Sequence, residues 1–220
     1  MVEEKPKTAT LVNASGATTS ITIWVQMSNE PQPAPIAWIC ALLSDGGFTK
    51  FKWTESYEYI WGKTGKLVAG KTVSAAQRLP VTKDTPAARI EKKGQTYRLH
   101  PYVPPNGLPP DTLRIEAGKD IPLDTLTIGV NSRIVSGFGQ PGNGSNVVQA
   151  EPNVTRNWKT DEKYFASFGQ VVQSEFDPQN LSSQKPLAID FNSGPDIVLM
   201  LEQGNVLKQL RDSKFTAREL

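Results

Sequence analysis

The sequence predicts an all-β protein, and within that class an antiparallel β-sandwich. Short runs rich in β-branched and aromatic residues recur along the chain, and several alternate apolar with polar positions, as half-buried strands do. Gly, Pro, Asn and Asp separate the runs, which indicates turns. The pattern lacks the long helical spacers that alternate with strands in parallel α/β folds. Many short strands joined by turns are typical of sandwiches and barrels.

The individual elements follow in chain order from these signals. In SITIWVQM, residues 20–27, alternate positions are apolar and predict one buried strand face, whereas IAWICALL, residues 36–43, is continuously apolar and predicts a fully buried strand. Further predicted strands include FTKFKW, SYEYIW, ARIEKK, TYRLH, TLRIEA, TLTIGVNS, NVVQAE, YFASFG, LAIDF and DIVLML. We expect burial of Ile21, Ile23, Val25, Ile36, Ile39, Leu113, Ile115, Leu126, Ile128, Ile197 and Leu199. NVLKQLRDSKF, near the C-terminus, is the one candidate for a short helix, and its pattern also allows a strand at its start.

The length suits one domain covering residues 1–220. PYVPPNGLPPD, residues 101–111, carries five prolines and is the candidate boundary between two lobes.

Composition excludes several classes of protein. The net charge is only +2, and neither a basic stripe nor a nucleic-acid motif is evident, so we expect no nucleic-acid partner. One cysteine, Cys40, rules out an intrachain disulfide. The longest apolar run is too short for a transmembrane segment, and the polar start lacks a signal-peptide core. We therefore expect a cytoplasmic protein, or one exported without a classical signal peptide; homo-oligomers are compatible with the sequence.

Two glycine motifs imitate nucleotide sites. GKLVAGKT, residues 65–72, fits the phosphate-loop pattern at every fixed position, but a working loop needs a helix at its Lys-Thr end. Here Pro80 follows within about two helical turns. GFGQPG, residues 137–142, fits the dinucleotide pattern but precedes a Gly/Asn-rich stretch that is typical of a hairpin loop. We predict no nucleotide cofactor at either motif.

No catalytic or metal constellation stands out. His100 is the only histidine, no ligands accompany it at metal-site spacing, and no nucleophile elbow occurs. Cys40 lies in an apolar run, where a free cysteine usually packs as a small hydrophobe. We expect neither a metal nor a cofactor, and the catalytic residues stay unknown.

Aromatic residues are densest between residues 53 and 61. Trp53, Tyr57, Tyr59 and Trp61 share parity, so an uninterrupted strand places them on one face. That face would either bind a ligand by stacking or close the core, and aromatic residues are routinely core residues. These four are the candidate ligand-binding residues, with packing in the core as the favoured interpretation.

The same region resembles the rhizosphere-expressed RhiA-like proteins. The likeness lies in an apolar Ala-Trp stretch, an F-x-W strand end, a Y-x-x-x-W run and a Gly-rich turn, carried by Ala37, Trp38, Phe51, Trp53, Tyr57, Trp61, Thr64, Gly65, Leu67, Val68, Gly70, Ala75 or Ala76, and Gln77. A weaker likeness continues through LTIGVNS, VVQAEPN and YFASFG. The resemblance implies turns at Gly65 and Gly70 around a short Leu67–Val68 strand, with no role for Lys71. It associates the chain with bacterial interactions with hosts or neighbours, and it implies no defined activity or catalytic residues.

Three functions remain open at this point. We favour a non-enzymatic binding or interaction protein with a small-molecule or sugar ligand. The first alternative is an enzyme acting on a small hydrophobic molecule in a sandwich cavity, with tyrosines, carboxylates or His100 as acid–base groups. The second is a sugar-binding or membrane-active module that uses surface aromatic residues. A closed pocket with perturbed carboxylates would favour the enzyme, and an exposed aromatic patch would favour the module.

Overall fold

A computed structural model describes residues 6–28, 36–136, 146–169, 176, 185–192 and 194–210, with residues 55 and 133–136 described by their backbone alone. These residues form strands and no helix, which confirms the all-β prediction. The strands are β1 (Lys7–Ala14), β2 (Thr19–Gln26), β3 (Ile39–Leu43), β4 (Phe48–Gly62), β5 (Gln77–Pro80), β6 (Ala87–Lys93), β7 (Thr96–Tyr102), β8 (Thr112–Ala117), β9 (Thr127–Ser136), β10 (Asn146–Gln149), β11 (Thr155–Lys159), β12 (Lys163–Gly169), β13 (Leu187–Ile189), β14 (Asp196–Glu202) and β15 (Val206–Leu210). None of the described elements is a helix long and apolar enough to cross a membrane.

The strands form three sheets. The first sheet has the order β10-β9-β4-β1-β14-β15, with β5 also paired to β4; the second has the order β11-β8-β6-β7; and the third has the order β13-β12-β2-β3. Most neighbours are antiparallel, and the parallel exceptions are β1 with β14 and β6 with β8. Some pairings, such as β1 with β14 and β2 with β12, join strands that are far apart in sequence.

The first sheet packs against both of the others. A first core lies between the first and third sheets and includes Leu11, Ile23 and Trp53. A second core lies between the first and second sheets and includes Tyr59 and Trp158. The residues expected to be buried are all buried, as the alternation in the sequence predicts: Ile21, Ile23, Val25, Ile36, Ile39, Leu113, Ile115, Leu126, Ile128, Ile197 and Leu199. This layered burial is that of a sandwich.

Strand β4 is shared by the two cores. It is fifteen residues long, and its pairing with β9 shifts register between Lys52 and Trp53 and again between Trp53 and Tyr57. The N-terminal part of β4 therefore faces the first core, and its C-terminal part faces the second. Register shifts of this kind bend and twist a strand, which allows one strand to contribute side chains to two cores.

Several detailed predictions are wrong or concern residues outside the described part of the chain. Residues 206–210, the start of the helix candidate, form strand β15, which pairs with β14 and leaves no helix there; residues 211–220 lie outside the described part. Leu67 and Val68 lie in a loop rather than a strand. GFGQPG, residues 137–142, lies outside the described residues. The proline-rich stretch 101–111 connects β7 to β8 within the second sheet.

Candidate functional site

The outer face of the second sheet carries polar and charged side chains. Along β8, Leu113 and Ile115 turn into the second core, so the alternate residues Arg114 and Glu116 turn to solvent. Strand β11 repeats the pattern, because Trp158 is buried and its neighbours are exposed. Alternation along each strand thus places polar side chains on one face.

Register aligns charged side chains across this face. Arg89 of β6 lies beside Glu116 of β8 and beside His100 of β7. An Arg89 terminal nitrogen donates to the Glu116 carboxylate at 2.7 Å, and this hydrogen bond raises the pKa of Arg89. His100 Nε2 lies 3.2 Å from a carboxylate oxygen of Glu91. The Arg89 guanidinium also lies over the Tyr102 ring, 4.1 Å from its centroid.

A cavity of about 540 Å³ lies beside this row of charges, and we call it the Glu116 cavity. It combines donors with carboxylate and amide acceptors, and so suits a ligand that presents both hydroxyl donors and acceptors. Its lining is Arg89, Glu91, Lys92, Glu116, Ala117, Gly118, Lys119, Asp120, Asn153 and Thr155.

A second cavity, of about 350 Å³, lies next to it on the same face, and we call it the Arg114 cavity. Thr155 lines both cavities. Arg114 Nε donates to the Asn157 side-chain oxygen at 2.8 Å, which fixes the guanidinium over β11. The full lining is Ser28, Pro109, Thr112, Arg114, Thr155, Asn157 and Lys159.

The four aromatic candidates lie on β4 and are divided between the cores. Trp53 is fully buried in the first core, and its ring packs edge-on against Trp38, with centroids 5.5 Å apart. Tyr59 is fully buried in the second core, where its hydroxyl donates to the Pro86 carbonyl at 2.6 Å. Burial raises the pKa of Tyr59 to about 12. Neither ring offers a free face for stacking on a ligand.

Tyr57 and Trp61 lie at the margin of the second core and are half-buried. Trp61 Nε1 donates to the Gln77 side-chain oxygen at 3.0 Å, and its ring packs edge-on against Tyr97. A ligand-binding role for these two residues stays a prediction, and their contacts are those of packed side chains.

The phosphate-loop motif packs against one face of the first sheet. Gly65 and Gly70 both have positive φ, of 70° and 81°, as the predicted turns require. Leu67 packs, together with Val73, on the face of the first sheet that lies opposite the second core. The Leu67 N–H donates to the Gln149 side chain at 2.7 Å, so a side chain satisfies it in place of a partner strand.

No helix follows this motif. Residues 73–76 lead directly into β5, so the backbone N–H groups that would cradle phosphates at a helix N-terminus are not arranged there. Lys71 is half-buried, and its ammonium nitrogen lies over Gly65. The segment therefore has the contacts of a loop that packs on a sheet face.

A buried polar chain links the first and third sheets. Trp53 Nε1 donates to the Tyr164 hydroxyl at 3.2 Å, and that hydroxyl donates to Glu162. The Ser132 hydroxyl donates to the same carboxylate. Ser132 and Tyr164 are almost fully buried. Within the described residues, no group of three or more His, Cys, Asp or Glu is placed to hold a metal ion.

Sequence reasoning singled out none of the residues lining the two cavities as a site. It did weigh His100, which lines neither cavity but contacts Glu91 in the row of charges. The signal that could have found the lining residues is the polar half of the alternation in TLRIEA and TRNWK. Those runs show which residues face outward. They do not show that β6 pairs in parallel with β8, and that pairing brings Arg89 to Glu116.

Comparison with known proteins identifies relatives by sequence. The family model described as RhiA matches residues 4–209. Protein RhiA of Rhizobium leguminosarum bv. viciae is 27% identical over 152 residues, which cover 64% of this chain and 60% of that protein. The chain thus matches less than two thirds of the length of that curated relative. No solved structure matches the chain significantly.

Proposed function

The chain belongs to the RhiA family, and on that premise we propose that it is a non-enzymatic binding protein for a small polar ligand, with a saccharide as the ligand class. One observation carries the proposal. Two cavities lie side by side on one solvent-facing sheet face and share Thr155. Together they offer an extended site whose central side chains, Arg114, Glu116 and Lys159, lie on strands, which hold side chains in place better than loops do.

The lining chemistry supports a polyhydroxylated ligand. Carboxylates accept hydrogen bonds only, arginine donates only, and threonine and asparagine do both. The Glu116 cavity combines all of these types within one surface. A saccharide carries hydroxyls that both donate and accept along its length, and so it can pair with such a mixture. A hydrophobic molecule would leave these polar groups unpaired on binding, which costs free energy.

The shifted pKa of Asp161 argues against a role for this group as a general acid. A carboxyl group that donates a proton at neutral pH needs a raised pKa. Burial alone would raise the pKa of Asp161, but hydrogen bonds from the Ser28 hydroxyl and N–H lower it. Asp161 is therefore kept ionised rather than poised to donate a proton.

A blocking substitution tests the proposal. Thr155→Tyr places a bulky side chain between the two cavities, while tyrosine keeps a good strand propensity. Thr96→Tyr, an exposed position of β7 that lines neither cavity, is the matched control. Both variants and the parent chain are screened against an oligosaccharide array, and hits are measured by titration calorimetry.

We expect the parent and Thr96→Tyr to bind the same saccharides and Thr155→Tyr to lose at least tenfold in affinity. Circular dichroism checks that both variants keep the fold. Saccharide binding that Thr155→Tyr leaves unchanged would place the site elsewhere and overturn the proposal. Binding confined to hydrophobic small molecules would overturn it in favour of a sandwich-cavity enzyme or carrier.

A further inference from the structure

We infer that the Arg114 cavity is an anion subsite, which takes a carboxylate, sulfate or phosphate group carried by the ligand of the neighbouring Glu116 cavity. The ligand is then an acidic saccharide. The identity of the saccharide part rests on the proposed function, whereas the anion subsite rests on the charges and hydrogen bonds of its own lining.

The lining of the Arg114 cavity is one-sided in charge. Among the described residues, it contains two cations, Arg114 and Lys159, and no carboxylate. The Glu116 cavity differs, because there the charge of Arg89 is balanced by Glu116 at 2.7 Å and by Glu91 at 3.8 Å. An incoming anion therefore meets a lining with net positive charge in the Arg114 cavity, and a lining of three basic and three acidic residues in the Glu116 cavity.

Arg114 and Lys159 form no ion pair within the described part of the chain. Three other arginines there do: Arg78 pairs with Glu58, Arg89 with Glu116, and Arg156 with Glu151. Arg98 of β7 is also unpaired there, but it is exposed and lines neither cavity, whereas Arg114 lines a concave site. A charged side chain that stays unpaired inside a concave site is available to an external partner.

The guanidinium of Arg114 is oriented for two-pronged recognition. Its Nε is already occupied by the Asn157 side-chain oxygen at 2.8 Å, so the planar group is fixed in direction. The remaining donors are the two terminal nitrogens, which match the spacing of two oxygens of a carboxylate, sulfate or phosphate. Asn157 acts here as a positioning residue, since it holds the donor plane without needing to touch the ligand.

Strand register brings the second cation to the same place. Arg114 lies opposite Asn157, and Thr112 lies opposite Lys159, in the antiparallel pairing of β8 with β11. Lys159 is therefore the diagonal neighbour of Arg114 on one face, within the reach of long side chains. The two cations converge on the cavity from adjacent strands.

The carboxylate of Asp161 lies close to the subsite, and its negative charge bears on anion binding there. Asp161 accepts hydrogen bonds from the Ser28 hydroxyl at 2.6 Å and from the Ser28 N–H at 3.0 Å. The two Ser28 donors thus stabilise its negative charge, and the positive charge of Lys163 balances it further. Asp161 does not line the cavity, and we place the bound anion on the side of Arg114, Lys159 and Thr155.

The experiment compares two probes that differ in charge alone. A galacturonic acid trimer carries a carboxylate on each ring, and its methyl ester presents the same rings without charge. Inorganic phosphate and sulfate serve as probes of the anion subsite by itself. Binding is measured by titration calorimetry at low and physiological salt, because screening weakens exposed charge pairs.

The variants are Arg114→Gln and Lys159→Gln. The matched control is Arg98→Gln, since Arg98 is an exposed arginine of β7 that lines neither cavity. We expect the acid to bind at least tenfold more tightly than the ester to the parent chain and to Arg98→Gln. Each cavity variant should reduce that preference to less than threefold, and added salt should reduce it in the parent.

The outcomes separate the two proposals. If Thr155→Tyr weakens the acid and the ester while Arg114→Gln weakens only the acid, both proposals stand. If acid and ester bind the parent equally, or Arg114→Gln leaves the preference intact, the anion subsite is overturned and the saccharide site stands. If phosphate or sulfate binds through Arg114 but neither trimer binds, the subsite stands and the acidic-saccharide assignment is overturned. Absence of binding by every probe overturns the inference.

Discussion

The indole N–H of Trp53 donates to the hydroxyl of Tyr164 across 3.2 Å, and both side chains are almost fully buried in the first core. Trp53 belongs to the first sheet and Tyr164 to the third, so the bond crosses the sandwich. The Tyr164 hydroxyl in turn donates a hydrogen bond to the Glu162 carboxylate, which also accepts one from the Ser132 hydroxyl. A buried polar link of this kind fixes the relative position of two sheets that are otherwise held by non-directional packing.

Removing the hydroxyl from that link should cost stability. Tyr164→Phe leaves the buried Trp53 N–H without its acceptor, and we expect a loss of about 1–3 kcal/mol in the free energy of unfolding. Urea denaturation followed by tryptophan fluorescence measures it. Tyr102→Phe, on the solvent-facing side of β7, is the control and should stay within about 0.5 kcal/mol of the parent.

A double-mutant cycle with Trp53→Phe isolates the bond from the packing of the two rings. We expect a coupling free energy of at least about 0.5 kcal/mol, the usual lower range for residues in direct contact. Strict additivity of the two substitutions would show that the hydrogen bond contributes nothing beyond ring packing.

The buried hydroxyl of Tyr59 predicts a loss of stability at high pH. Its pKa is about 12 in the folded chain against an ordinary value of 10.0, because burial disfavours the phenolate. The folded state therefore holds its proton more tightly than the unfolded state does. The resulting stabilisation is complete below pH 10 and is lost as the pH rises from 10 towards 12. One such proton changes stability by at most about 1.4 kcal/mol per pH unit.

Tyr59→Phe provides the comparison, because lysines also titrate in this range in both proteins. We expect the variant to be less stable at pH 7 by about 1 kcal/mol, from loss of the bond to Pro86, and to show a shallower decline between pH 10 and 12. Parallel pH slopes for the parent and the variant would contradict the prediction. The measurement is thermal unfolding by circular dichroism at several pH values.

Gly70 should resist replacement by a residue with a side chain. Its φ is 81°, and it lies in the turn closed by the Lys71 N–H donating to the Val68 carbonyl at 3.2 Å. We expect Gly70→Val to cost at least about 1–2 kcal/mol, the penalty for a left-handed conformation in an L-residue. Gly70→Asn should cost less, because asparagine tolerates that region. Equal stability of all three chains would show that the turn relaxes freely; urea titration decides.

The phosphate-loop motif should bind neither ATP nor GTP. No helix follows Thr72, and the segment packs as a cover on the first sheet. We expect calorimetric titration with Mg-ATP and Mg-GTP to give no heat of binding. Lys71→Ala should change stability by no more than about 0.5 kcal/mol, like the exposed control Lys66→Ala. Micromolar nucleotide binding that Lys71→Ala abolishes would contradict this.

The sequence predicts strands well here because burial alternates within runs such as β8, where Leu113, Ile115 and Ala117 are buried. It predicts the sharing of β4 poorly. Trp53 and Tyr59 have the same parity, yet the register shifts between Trp53 and Tyr57 direct them to different cores. Parity counts residues along one strand and carries no information about a bulge.

The two cavities cannot be predicted from the sequence for a related reason. Arg89 and Glu116 are separated by 27 residues, and their ion pair depends on the parallel pairing of β6 with β8. Pairings between distant strands depend on how whole sheets fit together, which local patterns do not encode. The charges of the site are therefore readable in the sequence as outward-facing residues, but their partners are not.

The parallel pairing of β1 with β14 has a consequence for the order of assembly. Strand β1 begins at Lys7 and lies inside the first sheet, between β4 and β14. During synthesis the ribosome delivers β1 and β4 early, but the other edge of β1 has no partner until Asp196–Glu202 has emerged. An unpaired strand edge is a template for pairing with other chains. Nascent or truncated chains that end before residue 196 should therefore aggregate or recruit chaperones, whereas a chain that contains β14 pairs this edge of β1 within itself.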